Sequence, residues 1–210
     1  MRGASPTPSS STPAGSPRSA TSPRQPLLEQ SVQRLREVGD EHRELQAMRW
    51  LAWASQELGD AERFRALHEE ILQRARALGD VEPQWWSLSS LASVAAREGR
   101  HRDALALLEE AYGIAREFGD PVLVDMNLIR FGESLAFADR PELAARVFSL
   151  AEAMHHELGW TYEDWLVAVK DEAESRARAQ LDEAAFAAAW EQGRAMTPDE
   201  AVALALESLD

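Results

Sequence analysis

The chain of 210 residues has no cysteine, and only one of its 22 basic residues, Lys170, is a lysine. The first absence removes disulfides, thiolate metal sites and a cysteine nucleophile together. Gly-x-x-x-x-Gly-Lys is missing, as is Gly-x-Gly-x-x-Gly, so neither common backbone cradle for nucleotide phosphates is encoded. No Gly-x-Ser-x-Gly turn is present to carry a serine nucleophile. Positive charge is scarce: 22 basic against 36 acidic residues give a formal charge of -14, the wrong sign for an unassisted surface against nucleic acid or anionic lipid. No apolar run approaches the roughly 18 residues that a membrane span requires. These exclusions leave the expectation of a protein that is not an enzyme, with no cofactor, no metal, and no direct contact with nucleic acid or membrane.

Large apolar side chains are also missing from residues 1–26 after Met1. This stretch holds six of the ten prolines, seven serines and three threonines, and its only charges are Arg2, Arg18 and Arg24. Proline at that density forbids a helix, and such a composition cannot build a core, so residues 1–26 read as a disordered tail. It lacks the roughly 7–15-residue apolar centre of a secretory signal, and the chain is expected in the cytoplasm. Its Ser- and Arg-rich, acid-free character faintly resembles a transit peptide; a solvated linker is the simpler reading. Setting its three positive charges aside takes the formal -14 to -17 for residues 27–210.

What is present, beyond the tail, is a beat. Gly39, Gly59, Gly79, Gly99, Gly119 and Gly159 fall on one grid of 20 residues, and Asp139 stands in the slot without glycine. Several read as an apolar residue, Gly, then Asp: Val38-Gly39-Asp40, Leu58-Gly59-Asp60, Leu78-Gly79-Asp80, Phe118-Gly119-Asp120. Glycine supplies the left-handed residue that closes one helix, and the aspartate can cap the next. Between these marks run stretches of about 17 residues rich in Ala, Leu, Glu and Arg, all good helix formers. Pro83, Pro121 and Pro141 fall where a helix begins, positions at which a missing N–H costs nothing.

The true unit is 40 residues, because alternate segments differ. Phe64, His68 and Ile71 match Ala104, Leu108 and Ala111, then Ala144, Phe148 and Ala151. Before the turns, Met48-Leu51-Ala52-Ser55 matches Leu88-Leu91-Ala92-Ala95 and Leu128-Phe131-Gly132-Leu135, with small Ala52, Ala92 and Gly132 allowing close approach of paired helices. The fold class expected is all-α: a right-handed solenoid of antiparallel helix pairs over 27–160, whose neighbours bury a shared core, followed by a C-terminal helical cap over 161–210. Leu27 to Asp40 matches Leu107 to Asp120 at an offset of 80, so the array starts on the second helix of a unit. A shortened remnant of a larger protein is therefore one reading, and a replaced terminus another.

Leu91-Ala92, Ala95, Gly99, Ala104, Leu108 and Ala111 fall at the signature intervals of the tetratricopeptide repeat, which the helix pairs resemble. The unit is longer than the roughly 34 residues usual there, and His101 stands where an aromatic is common. It is closer to the roughly 40-residue variant in the C-terminal arms of LuxR-type, MalT-like bacterial regulators that carry an ATPase core. Arg140 to Arg146 resembles the last repeat of those arms. Phe186 to Arg194, with Glu200 to Leu206, looks like their closing module. Residues 161–181 depart from it, with Tyr162-Glu163-Asp164-Trp165 in place of a Pro-rich connection. The resemblance implies a signal-sensing, protein-binding arm whose first helices line a concave groove.

Within that frame the tryptophans stand out. Trp50, Trp53, Trp85 and Trp86 lie on first helices, whereas Trp165 and Trp190 fall in the closing module and are expected as core. Arg49, Trp53 and Gln56 avoid the core stripe, and the related slots bring Trp86, Ser89 and Ser93, then Met126, Ile129 and Glu133. The candidate partner-binding set is Arg49, Trp53, Trp86, Ser89, Ser93, Ile129 and Glu133, an aromatic and mixed-polar lining suited to a protein or peptide. Gap-filling between units is the plainer role for Trp53 and Trp86. Self-association and a small-molecule effector remain open alternatives. Glu152 with His155-His156 gives one Glu-x-x-His, where paired metal sites need two; two solvated histidines near a helix end is the simpler reading. Thr197-Pro198-Asp199-Glu200 is a capping box, and Phe186 with Trp190, one turn apart, is expected to seal the last apolar groove.

Overall fold

The computed structural model describes residues 24–209, and every regular element among them is a helix. They are α1 (Gln25–Val38), α2 (Glu41–Glu57), α3 (Ala61–Leu78), α4 (Val81–Arg97), α5 (His101–Phe118), α6 (Pro121–Phe137), α7 (Pro141–Leu158), α8 (Asp164–Arg178), α9 (Glu183–Arg194) and α10 (Pro198–Glu207). Of the expected tail, residues 1–23 lie outside the described part, while Gln25 and Pro26 open α1, the proline in its first turn. No described helix is long and apolar enough to cross a membrane.

The punctuation has the predicted geometry. Each grid glycine has positive φ, from 64° at Gly159 to 79° at Gly99, and Asp139 adopts the same left-handed turn at φ 55°. That conformation costs little for glycine and is tolerated by aspartate. Asp40, Asp60 and Asp120 accept N-terminal backbone N–H groups of the following helix. Asp80 does not: its carboxylate lies 2.5 Å from Nδ1 of His42 instead. The Thr197–Glu200 capping box is complete, with both reciprocal bonds made.

Consecutive helices from α1 to α8 pack on one another, and the even helices also touch in series, α2 on α4, α4 on α6 and α6 on α8. The matched apolar slots fill the core: Leu88, Leu108, Leu128, Phe131, Phe148 and Ala151 are all fully buried. Gly132 permits one of the tightest contacts, since a Cβ there would sit 2.5 Å from the Phe148 ring. On the odd helices a repeated ion pair marks the 40-residue period: Arg36 meets Glu70 at 3.5 Å and Arg76 meets Glu110 at 2.6 Å. Arg116 is next in the series, but position 150 is a buried leucine, and Arg116 pairs with Asp199 of α10 at 2.9 Å.

That exchange reflects the path of the C-terminal segment. α8 packs on α6 and α7, and α9 on α7, where Phe186 is buried with Ala145 and Ala189 and half-buried Trp190 stacks on it at 5.4 Å. Gly193 lies against the backbone of α7, with room for no side chain. α10, rather than closing the far end, turns back over α5, α6 and α7, adding Ala201, Val202 and Ala205 to the main core. Tyr112 donates to Asp199 at 2.7 Å, and Arg102 and Arg140 donate to the carbonyls of Leu209 and Ser208.

Candidate functional site

The even helices touch in series, and α8 is the fourth of them. Trp165, in the first turn of α8, stands edge-on to Trp53 of α2, with ring centroids 4.8 Å apart and planes at 83°. It also lies 6.0 Å from Trp86 of α4 and beneath the guanidinium of Arg130 on α6, 5.1 Å from its ring centre. One indole therefore touches side chains from the three preceding even helices. Arg49 lies 4.7 Å over the Trp86 ring and 5.3 Å from that of Trp50. Cation–aromatic contacts of this kind attract through the ring quadrupole.

Below this layer sits a charged hub. Glu133 of α6 is fully buried and accepts from Ser93 Oγ at 2.9 Å, Arg97 Nη2 at 3.0 Å and Arg130 Nη1 at 2.9 Å. Arg97 also reaches Glu172 of α8 at 2.7 Å, so α4, α6 and α8 are joined through its guanidinium. A buried carboxylate is tolerable only with such pairing. A cavity of about 320 Å³ opens beside the hub, walled by Trp53, Ser93, Arg97, Arg130, Trp165 and Val169 among others.

His68 lies in the core under the same region, edge-on to Phe64 at 4.5 Å, with its Nδ1 3.3 Å from Ser87 Oγ and its Nε2 without a hydrogen-bond partner. Burial, helped by the charges of Arg49 and Arg130, pushes its pKa down to about 3 and keeps the ring neutral.

A second polar centre holds the α7–α8 connection. Asp125 of α6, fully buried, accepts from the Trp160 indole at 2.9 Å and from the Tyr162 hydroxyl at 3.1 Å. Burial raises its pKa to about 6, against the lowering effect of those two hydrogen bonds and of Lys170. His155 stacks on Tyr162 at 3.8 Å and its Nδ1 lies 3.9 Å from the Asp125 carboxylate. The histidine pair is thus divided: His155 joins this cluster, and His156 is exposed. Among the described residues no group of three or more His, Asp or Glu side chains is placed to hold a metal ion.

Of the residues singled out from sequence, Arg49, Trp53, Trp86 and Ser93 are partly exposed on this face. Ser89 is 2% exposed, with its hydroxyl unpartnered, and Ile129 and Glu133 are 0% exposed, so these three offer almost no surface to a partner. Trp165, Arg97 and Arg130 were not in that set and supply much of the wall. Trp165 had a signal in the sequence, Tyr162-Glu163-Asp164-Trp165, which follows the last glycine of the 20-residue grid; Arg97 and Arg130 had none. No family model, curated protein or solved structure matches the chain.

Proposed function

We propose that the protein is a non-catalytic interaction module: a right-handed solenoid of tetratricopeptide-like helix pairs whose inner, concave face is lined by α2, α4, α6 and α8. On this reading it works as the signal-sensing arm of a cytoplasmic bacterial regulator does, receiving an extended peptide or a partner segment. The observation that carries it is the groove itself. Trp53, Ser93, Arg97, Arg130 and Trp165 come from four different helices and wall one cavity of about 320 Å³, a lining of tryptophan and arginine that suits protein recognition. The series of contacts between even helices supports the solenoid, since stacked helix pairs place like helices side by side.

The test is to pan a displayed library of extended peptides against the full chain and to measure the enriched sequence by fluorescence anisotropy. Truncating an anchor tryptophan at an interface typically costs about 2 kcal/mol or more, roughly thirtyfold in Kd, so Trp53→Ser is expected to weaken binding by that order. Failure to enrich any sequence, or equal binding by the variant, would overturn the assignment of this face.

A further inference from the structure

A second cavity, of about 440 Å³, also has Trp165 in its wall. Its volume is in the range of small-ligand sites, about 300–1,000 Å³. Three tryptophans contribute to its wall: Trp86 from α4, Trp160 from the α7–α8 connection and Trp165 from α8. Ile114, Val122, Leu123 and Met126 complete an apolar interior. The charged side chains on its border are Glu82, Asp120 and Glu163, and no Lys, Arg or His takes part.

Aromatic walls with a border of one sign select by charge as well as by shape. The π faces of tryptophan attract cations, and carboxylates at the mouth add to that attraction while repelling anions. The protein uses both tryptophans in this way internally. Arg49 sits over Trp86, where burial lowers its pKa and the carboxylates of Glu82 and Glu163 act against that lowering, and Arg130 sits over Trp165. Each ring gives one part of its surface to an arginine and another to the cavity. The carboxylates keep unused acceptor capacity. Asp120 spends one oxygen on the N–H of Val122, and Glu163 spends one on the Trp165 indole, 2.7 Å away. Glu82 is exposed, and its charge acts on Arg49.

We infer that the cavity walled by Trp86, Trp160 and Trp165 and bordered by Glu82, Asp120 and Glu163 binds a small hydrophobic organic cation, with its ammonium or guanidinium group against the indoles and its apolar part towards Leu123 and Met126. This goes beyond the peptide groove and does not depend on it. Trp165 is the one residue that the two linings share. Trp160 is fixed by its bond to Asp125, so the third wall stands in place before a ligand arrives.

The probe is benzyltriethylammonium, titrated calorimetrically into the full chain alongside its neutral isostere with carbon in place of nitrogen. The cation is expected to bind one to one and the isostere roughly tenfold more weakly, the order of a desolvated cation–aromatic contact. Glu82→Gln, an exposed change that leaves the core untouched, is expected to weaken cation binding severalfold. Glu183→Gln, which removes an equal charge from α9, is expected to leave it unchanged. Trp86→Leu is expected to abolish it, with circular dichroism checking the fold. Equal binding of the isostere would mean a merely apolar pocket and overturn the inference. So would an equal loss in Glu183→Gln, retained binding in Trp86→Leu, or no saturable binding of the cation. Since none of these changes touches Trp53, a failure here leaves the peptide groove to its own test.

Discussion

Trp165 of α8 rests edge-on against Trp53 of α2, their ring centroids 4.8 Å apart, although two complete helix pairs lie between them in the chain. Trp53 walls one of the two cavities, and Trp165 is the residue common to both. Trp165→Ala removes a half-buried indole and its pairs with Trp53, Trp86 and Arg130. A loss of about 2 kcal/mol is expected, less than the 3–5 of a fully buried aromatic, together with a small gain in radius of gyration as α8 is released. Urea unfolding and small-angle scattering read the two effects. A variant as stable and as compact as the parent would show that the indole ties nothing together.

Asp125 predicts a pH dependence of unusual sign. Its pKa is about 6 in the folded chain against an ordinary 3.8, so between those values the folded state holds the proton more tightly. Its contribution to stability is therefore largest below about pH 4 and is lost as pH rises through 6. The groups facing it are the Trp160 and Tyr162 donors, His155 and Lys170. In Asp125→Asn that dependence disappears. Relative to the parent, the variant is expected to gain about 3 kcal/mol between pH 4 and pH 8, on top of a constant penalty for misplaced amide donors. Chemical unfolding of both proteins across that range measures the difference, which a flat or falling curve would contradict.

His68 acts in the opposite direction. The folded ring stays neutral down to about pH 3, whereas the unfolded ring takes a proton near the ordinary 6.5. Stability is then full above 6.5 and drains away as pH falls from 6.5 towards 3. Matching repeat slots hold Leu108 and Phe148, both fully buried, and His68→Leu follows their example. At pH 5 the leucine variant is expected to gain about 2 kcal/mol over its advantage or deficit at pH 8. Thermal melts at the two pH values suffice, and an unchanged gap would mean the ring is protonated in place.

Two glycines inside helices separate close packing from open space. A Cβ on Gly193 would lie 2.1 Å from the carbonyl oxygen of Arg146, so α7 and α9 must move apart to admit it. Gly193→Ala should destabilise by about 1–3 kcal/mol. Gly113, mid-helix in α5, has nothing within 4 Å of the same position, and Gly113→Ala should stabilise by about 0.5–1 kcal/mol through helix propensity alone. Opposite shifts in melting temperature are the expected result.

The punctuation of this chain was readable because it is local. A left-handed turn every 20 residues needs Gly, or Asp at 139, whatever lies around it. Where a distant side chain competes, the local rule fails, as at Asp80, which is drawn to His42 and leaves its helix uncapped. The face was half legible. The slot of Arg49, Ser89 and Ile129 keeps one orientation through three units, yet its exposure falls from partial at Arg49 to 2% and then 0%. α2 packs on α4 and meets α8 at the Trp53–Trp165 pair, whereas α6, packed on α4, is covered from the other side by α8. That cover comes after the five-residue gap between Leu158 and Asp164, where the 20-residue beat breaks, so the repeat could not say which way Trp165 would point.

The return of α10 over α5, α6 and α7 changes what kind of object the array is in time. A string of units that touch only their neighbours can fold as it is made and melt from either end. Here Ala201, Val202 and Ala205 complete a core whose other walls were synthesised long before, and Asp199 is the partner that Tyr112 and Arg116 await. The core that runs from Leu72 of α3 through α4 to α7 is therefore completed only when α10 is in place, and these helices are expected to gain and lose their structure together.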